Sequence, residues 1–293
     1  MLLHRQQNGC GALGQAIGDE RMPTISRVKS AFARGARSYT SARLPLANAI
    51  SRLSTIFIAG YENYSHDATY NGEAEVLRRL ENLDIGTVFD VGANVGNWTD
   101  MACKYLKGAQ IFAFEPAPRT YRKLSSVNRD RVKCVNAALS DTTGTQEFHF
   151  YKDKDTVSTL IVQKGHDIHQ EHYEAIAVEC IRGDEFMESA GVSRIGFLKI
   201  DTEGAEKKVL DGFGAKLFDF VDIIQFEYGM GNIYSRFLLK DAYEMLGDRF
   251  DIGRIMPKGV EFRNYSPYHE NFRTPNFLAV SKRRPEVKAR LSL

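Results

Sequence analysis

The stretch VFDVGANVGNWT, residues 88–99, changes from an apolar run to a glycine-rich segment within a few positions. Val88 and Phe89 are typical of a buried strand, and the spacing of Gly92 and Gly96 predicts a tight turn into a helix. Such a turn brings backbone N–H groups and a helix N-terminus to the carboxyl edge of a parallel sheet. Ligands of open parallel sheets bind at that edge, so the stretch predicts a ligand site.

Three residues predict how a nucleoside is held there. Gly92 and Gly96 lack a Cβ atom, so a ligand and the backbone can approach each other closely. Glu115 ends the next apolar run, QIFAFE, 19 residues after Gly96. An acid at that place accepts two hydrogen bonds from a ribose diol. Together the three residues are typical of a nucleoside-binding Rossmann-like site.

The residues between the glycines argue against a dinucleotide. The fingerprint G-x-G-x-x-G is absent, since Asn94 takes the place of its middle glycine and Asn97 that of its last one. Asp90 stands two residues before the first glycine. A carboxylate there attracts an ammonium or a sulfonium and repels a pyrophosphate, so we expect Asp90 to lie beside a positively charged ligand.

Strand and helix signals alternate from about residue 86 onward. This alternation predicts right-handed crossovers and a parallel sheet, with residues 132–139 (VKCVNAAL) as its third strand and NFLAVSK as a late member. Residues 146–152 and 175–181 alternate between apolar and polar residues instead. They predict two antiparallel strands that flank a polar insertion, residues 152–175. We therefore expect an α/β fold with an antiparallel insertion.

Both ends of the chain are basic. Residues 1–60 hold eight Lys or Arg against two acids, and we interpret them as a basic helical arm. Residues 61–285 are the predicted main domain and residues 286–293 a solvated basic tail. The apolar residues with helical spacing in the arm are Ile25, Val28, Phe32 and Ala36, then Ile50, Leu53 and Phe57.

The partner of the arm is open at this stage. It packs on the main domain, contacts an anionic membrane or a polyanion, or serves as an organelle transit peptide. No apolar run in the sequence approaches the roughly 20 residues of a membrane-spanning helix. We expect a cytoplasmic protein, with the arm as a peripheral contact at the inner membrane face.

Five motifs, read in order, resemble one known family. They are DVGANVGNWT, FAFEPAPRTYRKLSSVN, VNAALSDTTG, FLKIDTEGAEKKVLDGF and IIQFEYG, and they fall within residues 86–230. Their order and spacing look like the FkbM-type S-adenosylmethionine-dependent methyltransferases. The resemblance implies a class I methyltransferase fold, with a mainly parallel seven-stranded sheet flanked by helices. It also implies S-adenosyl-L-methionine as cofactor and O-methylation of a sugar, a glycoconjugate or a polyketide-like small molecule.

The resemblance implies seven cofactor contacts. The first motif supplies the turn after the first strand, the second supplies the ribose-binding acid, and the third lies where the adenine edge sits in such folds. In that order, the contacts are Asp90, Gly92, Asn94 and Gly96; Glu115; and Asn136 with Ala137.

Methyl transfer to a hydroxyl needs a positioned oxygen and a base, because the unperturbed pKa of the hydroxyl lies far above neutral. The segment KIDTEGAE supplies acids where a buried strand ends and a helix begins. We predict that Asp201 orients the hydroxyl or takes its proton, and that Glu203 takes part in catalysis. Helix capping stays open for Glu203 and Glu206. Glu227 ends the next strand and either binds substrate or forms a structural ion pair, and we expect Lys199 to pair with a carboxylate.

The polar insertion is the predicted source of substrate contacts, because loops at the carboxyl edge of a sheet carry specificity. Ser158 and His169 are the residues assigned to this role. His166, His169 and His172 have threefold spacing, which leaves a metal site or a general base open. The threefold pattern itself adds no other ligand, and polar insertions often contain exposed histidine, so we expect no metal.

Three other functions fit parts of the sequence. The basic arm suits an RNA methyltransferase, but the rest of the chain is acidic, and the motif after the fourth strand is not the Asn/Asp-Pro-Pro-aromatic type. We therefore expect no nucleic-acid partner. A cofactor-binding homologue without turnover and a nicotinamide-dependent dehydrogenase also remain open. A small-molecule or glycan acceptor agrees best with the motifs.

Overall fold

The computed structural model describes residues 25–41, 45–65, 67–151, 158–161, 173–273 and 275–293. The predicted substrate residue His169, with His166 and His172, lies outside the described residues. The chain divides into two units, Met1–Ile58 and Ala59–Leu293. None of the helices within the described ranges combines the length and the apolar character needed to cross a membrane.

The first unit contains helix α1 (Ile25–Ser41) and most of helix α2 (Pro45–Tyr61). Both helices predicted for the arm are therefore confirmed. Apolar side chains along them are exposed to solvent, with Phe32 80% exposed and Phe57 73% exposed.

The second unit alternates helices and strands. Its helices are α3 (Glu73–Leu80), α4 (Asn97–Tyr105), α5 (Pro118–Ser126), α6 (Gly183–Ser189), α7 (Glu206–Phe213), α8 (Lys216–Phe220), α9 (Gly231–Ser235), α10 (Leu239–Leu246) and α11 (Pro285–Leu291). Its strands are β1 (Thr87–Val91), β2 (Gln110–Phe114), β3 (Val132–Val135), β4 (Ala138–Ser140), β5 (Gly144–Tyr151), β6 (Tyr173–Arg182), β7 (Phe197–Ile200), β8 (Ile223–Glu227), β9 (Phe250–Met256), β10 (Gly259–Phe262) and β11 (Asn276–Ser281).

The main sheet has the strand order β10-β9-β11-β8-β7-β1-β2-β3. Strands β3, β2, β1, β7 and β8 are mutually parallel, so the predicted mainly parallel α/β sheet is confirmed. It has eight strands among the described residues rather than seven, because β10 turns back from β9 as an antiparallel edge strand. The run NFLAVSK forms β11, which is antiparallel to β8 and β9, because no helical crossover precedes it.

A second sheet has the order β4-β6-β5. Strands β5 and β6 pair antiparallel along their whole common length, as predicted for the insertion. The run VKCVNAAL, predicted as one strand, is divided between β3 of the main sheet and β4 of the second sheet. The chain changes sheet at Asn136 and Ala137, and β4 then pairs with β6 in parallel.

The main sheet is buried on both faces, as parallel sheets usually are. On one face, the Phe89 ring lies 5.4 Å from that of Phe112 and 5.6 Å from that of Phe186. On the other face, Trp98 is 5% exposed and its ring lies 5.4 Å from that of Phe197. The alternate side chains of β1 therefore join two separate hydrophobic clusters, which fixes the strand at the centre of the domain.

The basic tail is not a solvated end. Residues 285–291 form α11, and its apolar residues Val287 and Leu291 are fully buried in the cluster that also contains residues of α3 and β11. The charged residues face outward and are paired; Lys288, for example, lies 3.1 Å from Asp251. The apolar residues that alternate with charged ones thus make this segment part of the core. The prediction that the tail is a solvated end is wrong.

We expect Leu291→Ala to lower the free energy of unfolding by about 2–5 kcal/mol, because the substitution leaves a cavity in a closed cluster. Leu293→Ala is the matched control, since Leu293 is 65% exposed, and we expect a change within about 0.5 kcal/mol. Urea denaturation of both variants measures the two values. Equal stability of the two variants would contradict the assignment of α11 to the core.

Candidate active site

A cavity of about 1250 Å³ opens at the carboxyl edge of the main sheet, where β1, β2, β7 and β8 end. The predicted site residues that line it are Gly92, Asn94, Glu115, Ser158, Asp201, Glu203 and Glu227. The predicted site residues that do not line it are Asp90, Gly96, Asn136 and Ala137. Parallel strands therefore bring residues that are distant in the sequence to one place.

Glycine is required in the turn after β1 because protein atoms fill the space beside it. Gly92 has φ +78° and Gly96 has φ +96°, in the left-handed region that favours glycine. A Cβ atom on Gly92 would lie 1.9 Å from the carbonyl oxygen of Asp201, and one on Gly96 would lie 2.8 Å from Cδ1 of Leu124. These contacts, rather than the expected approach of a ligand, account for the two glycines in this structure.

Glu115 is fixed just after β2 with its side chain on the cavity. Its Oε2 accepts a hydrogen bond from the backbone N–H of Asn94 (3.1 Å), and its Oε1 accepts one from that of Ala117 (2.9 Å). Two backbone donors hold the carboxylate in one orientation. A carboxylate has further acceptor sites, which suits the predicted contact with a ribose diol.

The two contacts predicted from the third cofactor motif, Asn136 and Ala137, lie beside the cavity rather than in it. The side-chain amide of Asn136 donates to two backbone carbonyl oxygens just after β2, at 2.9 and 3.0 Å, and so fixes that segment. Ala137 is buried. The next residues, Ala138 and Leu139, line the cavity instead. The residues of this motif that reach the cavity are therefore Ala138 and Leu139 instead of Asn136 and Ala137, because the chain changes sheet at Asn136.

Asp90 is fully buried and does not line the cavity. Its Oδ2 accepts a hydrogen bond from the hydroxyl of Thr99 (2.6 Å), and its Oδ1 lies 3.3 Å from Nζ of Lys199. The place expected for a cationic ligand is therefore taken by a cation of the protein itself. The prediction that Asp90 lies beside a charged ligand is wrong, because a neighbouring strand that is distant in the sequence supplies the partner.

Lys199 connects Asp90 to the cavity. Its Nζ lies 3.2 Å from Oδ2 of Asp201 and donates a hydrogen bond to the carbonyl oxygen of Gly92 (3.4 Å). Burial alone would lower the pKa of Lys199, but attraction by the surrounding carboxylates, Asp201 first, outweighs burial and raises it. The lysine is therefore a stable cation, and the expectation that it pairs with a carboxylate is confirmed.

Three acids on the cavity wall lie at or just after the ends of the neighbouring strands β7 and β8. Asp201, Glu203 and Glu227 each place one carboxylate oxygen within 4.8 Å of the other two. Burial, followed by the charges of Asp201 and Glu206, raises the pKa of Glu203 to about 8. Burial, followed by the charges of the neighbouring acids, also raises the pKa of Glu227 well above its usual value. Carboxylates this close do not all ionise near neutral pH, so this wall retains protons beside the Lys199–Asp201 pair.

The same three carboxylates have the spacing of a candidate cation site. Carboxylate oxygens are ligands that Mg²⁺ and Ca²⁺ accept. Protons or a divalent cation would offset the charge of this cluster equally well. The absence of a metal therefore stays a prediction.

Glu206 caps the turn before α7, which decides between the roles left open for it. Its Oε1 accepts hydrogen bonds from the backbone N–H groups of Thr202 (3.1 Å) and Gly204 (3.0 Å). Glu203 lies within this turn at φ +54° and lines the cavity. Positive φ is uncommon for a residue with a side chain, and such strain is found where a site imposes it. The turn thus directs Glu203 to the cavity and uses Glu206 for structure.

Glu73 is a cavity residue that the sequence analysis does not identify. Its carboxylate accepts hydrogen bonds from the side-chain amides of Asn71 (2.7 Å), Gln225 (2.6 Å) and Asn276 (3.2 Å). Burial raises the pKa of Glu73, and the amide donors only partly reverse that effect. No motif marks this residue, because an acid in the first turn of a helix is common and its partners come from β8 and β11.

Comparison with known proteins connects this site to one family. The family model described as "Methyltransferase FkbM domain" matches residues 90–263, which is more than half of the chain. The match contains the turn after β1, Glu115 and the three acids of the wall.

Several characterised relatives are similar to the chain. Hexuronic acid methyltransferase AglP of Haloferax volcanii is 33% identical over 147 residues, which are 48% of this chain and 56% of that protein. 2-O-methyltransferase NoeI of Sinorhizobium fredii is 27% identical over 198 residues, 64% of this chain and 81% of that protein. 31-O-demethyl-FK506 methyltransferase FkbM of Streptomyces tacrolimicus is 30% identical over 196 residues, which are 58% of this chain and 74% of that protein. The chain thus spans only about half of the length of AglP.

We expect Gly92→Ala to destabilise the protein by about 2–4 kcal/mol, because the added Cβ overlaps the carbonyl oxygen of Asp201 and φ is positive. Gly108→Ala is the control, since no heavy atom lies within 4 Å of its added Cβ. We expect that variant to change stability by no more than about 1 kcal/mol. Chemical denaturation compares the two, and equal stability would show that β1 and β7 do not approach each other as described.

Proposed function

This chain belongs to the FkbM methyltransferase family, and we propose that it transfers a methyl group from S-adenosyl-L-methionine to a hydroxyl of a sugar, a glycoconjugate or a polyketide-like small molecule. The observation that carries the proposal is that Glu115 and the acids Asp201 and Glu203 line one cavity. A ribose-type contact beside groups that can orient and deprotonate a hydroxyl is what this reaction requires.

The names of the relatives support this acceptor class. One names hexuronic acid as its substrate, one names a 2-O position, and one names a substrate that lacks a 31-O-methyl group. Two of the names thus state methyl transfer at an oxygen, and the other names an acidic sugar. We assign the same class of acceptor to this chain.

The residues of the cavity fit S-adenosyl-L-methionine. Glu115 offers a fixed carboxylate for the ribose, and Ala138 and Leu139 offer an apolar surface for the base. The acids of the wall attract a cationic sulfur through Coulomb interaction. When bound, the cofactor supplies a methyl group that is already activated on a sulfonium. The protein therefore has to position the acceptor and receive its proton.

Three acids divide these tasks. Asp201, held by Lys199, accepts a hydrogen bond from the acceptor hydroxyl and orients its oxygen. Glu203 takes the proton, because its raised pKa makes it a stronger base than an ordinary carboxylate. Glu227, whose pKa is raised by burial, binds a second polar group of the acceptor. Ser158 lines the same cavity and adds a contact, while His169 stays a predicted contact.

We expect the rate of methyl transfer to rise with pH and to level off above about pH 8, because Glu203 must lose its proton to act as the base. Glu203→Gln removes the base and should lower kcat by about 10²–10⁴-fold. Release of S-adenosylhomocysteine with a panel of methyl glycosides measures both effects. Calorimetric titration with S-adenosylhomocysteine should give the same affinity for Glu203→Gln and the native protein.

Glu179→Gln is the matched control, since Glu179 is exposed on β6 and does not line the cavity. Stability gives a second readout. The pKa of Glu203 is raised by folding, so the group disfavours the folded state once the pH exceeds its unfolded value of about 4.5. Glu203→Gln should therefore raise Tm at about pH 9 and leave it nearly unchanged at about pH 4. No heat on titration with either cofactor form would overturn the proposed function.

We also propose that the arm contacts an anionic membrane surface. Leu46, Ile50, Leu53 and Phe57 of α2 follow helical spacing and are 48% to 73% exposed. Basic side chains of the arm, including Lys29, Arg34, Arg37 and Arg52, are exposed as well. Apolar and basic side chains on one segment suit the interface of a bilayer that contains anionic lipid. This contact would place the protein at the inner membrane face, and we propose no nucleic-acid partner.

Vesicle sedimentation tests the membrane contact. We expect the double variant Leu53→Ser, Phe57→Ser to bind vesicles with anionic lipid at least about tenfold more weakly than the native chain, because two large apolar side chains are lost. Tyr268→Ser removes an aromatic side chain that is 96% exposed outside the arm and is the control. Unchanged partition of the double variant, or tighter binding to tRNA than to vesicles, would contradict the membrane contact.

A further inference from the structure

Part of the cavity wall lies outside the matched family domain. Asp67, Ala68 and Thr69 precede β1 and line the cavity, and Phe272 and Arg273 line it just before β11. The family match covers residues 90–263 only. This part of the wall therefore adds contacts that the motifs shared with the family do not provide.

The loop before β11 is held in place by hydrogen bonds. Glu270 accepts them from the hydroxyls of Tyr228 and Tyr265 and from the backbone N–H of Lys240 (2.9 Å). Asn271 accepts one from the backbone N–H of Arg273 (3.1 Å). The backbone that carries Arg273 is thus fixed relative to α10 and β8.

Phe272 adopts a strained conformation within this loop. Its φ is +51°, which is unusual for a bulky residue. Such strain persists where the surrounding structure imposes it, and it is concentrated at ligand sites. The Phe272 ring packs against the ring of Tyr228, with centroids 5.2 Å apart. The result is that two consecutive side chains, Phe272 and Arg273, both reach the cavity.

Arg273 differs from the other cation of the cavity. Lys199 is already paired with Asp90 and Asp201. The Arg273 guanidinium lies 5.5 Å from the ring centroid of Tyr64, and within the described residues no carboxylate lies within ion-pair distance of it. Arg254 also lies close to the Tyr64 ring, at 5.4 Å from its centroid, but Arg254 forms an ion pair with Glu62 at 2.6 Å.

We propose that Arg273 binds a carboxylate carried by the acceptor, and that Phe272 supports the sugar ring to which this carboxylate is attached. The acceptor is then an acidic sugar, an inference that rests on the proposed function. A planar guanidinium fits a carboxylate through two parallel hydrogen bonds. The acids elsewhere on the wall repel an anion, so an acidic acceptor has one favourable orientation. Its carboxylate lies at Arg273 and its hydroxyl lies toward Asp201 and Glu203.

A matched pair of probes tests this proposal. We expect the native chain, saturated with S-adenosylhomocysteine, to bind methyl β-D-glucuronide about 10- to 100-fold more tightly than methyl β-D-glucoside, as a charged hydrogen-bonded pair provides. Arg273→Met should abolish the difference, and Arg273→Lys should restore part of it. Calorimetry or ligand-observed NMR measures the affinity of each protein for both sugars. Arg122→Met is the control, because Arg122 is exposed on α5 and does not line the cavity.

The carboxylate of the cofactor is the other source of the same chemistry. If Arg273→Met weakens S-adenosylhomocysteine binding about tenfold or more and leaves the sugar preference intact, Arg273 binds the cofactor and the proposal is wrong. Equal binding of the two sugars by the native chain, or binding of neither, overturns it as well. These equilibria do not depend on turnover, so selective glucuronide binding without methyl transfer would refute the proposed function and leave the role of Arg273 standing.

Discussion

The pairing of Lys199 with Asp90 and Asp201 is the constraint on which the site depends. Lys199 is 5% exposed, and a buried ammonium is tolerated only where carboxylates and hydrogen bonds replace its water. Asp90 lies beside Lys199 across the β1–β7 ladder, and Asp201 follows β7 on the cavity side. Lys199 thus connects the turn after β1 with Asp201, the acid that we propose binds the acceptor hydroxyl.

This arrangement also determines how charge is distributed over the cavity. The lysine lies within ion-pair distance of the two aspartates, whereas burial raises the pKa of Glu203 and of Glu227. A carboxylate with a raised pKa is a better proton acceptor near neutral pH than an ordinary one. In the roles that we propose, Asp201 orients the acceptor and Glu203 takes its proton, and the fold separates these roles although both residues follow β7 within three positions.

The sequence predicts the parallel core, and more than half of the predicted site residues line the cavity, because strand, turn and helix signals are local. Glu115, Asp201 and Glu203 reach the cavity as the order of strands requires. The failures concern contacts between distant segments. The sequence predicts a ligand beside Asp90, yet the partner of Asp90 is supplied by β7. The wall residue Glu73 has partners on β8 and β11 that no motif reveals. The division of VKCVNAAL between two sheets also depends on tertiary hydrogen bonds made by Asn136.

The close approach of Gly92 to the carbonyl oxygen of Asp201 limits how this domain can change in evolution and in redesign. The two segments have no room to change independently, since a methyl group on one collides with the backbone of the other. A chimera that exchanges only one of them between homologues inherits a mismatch, whereas exchange of both together preserves the fit. The loop that carries Phe272 and Arg273 lies outside this coupled pair, so it is the natural segment for grafting a new substrate preference onto an unchanged reaction centre.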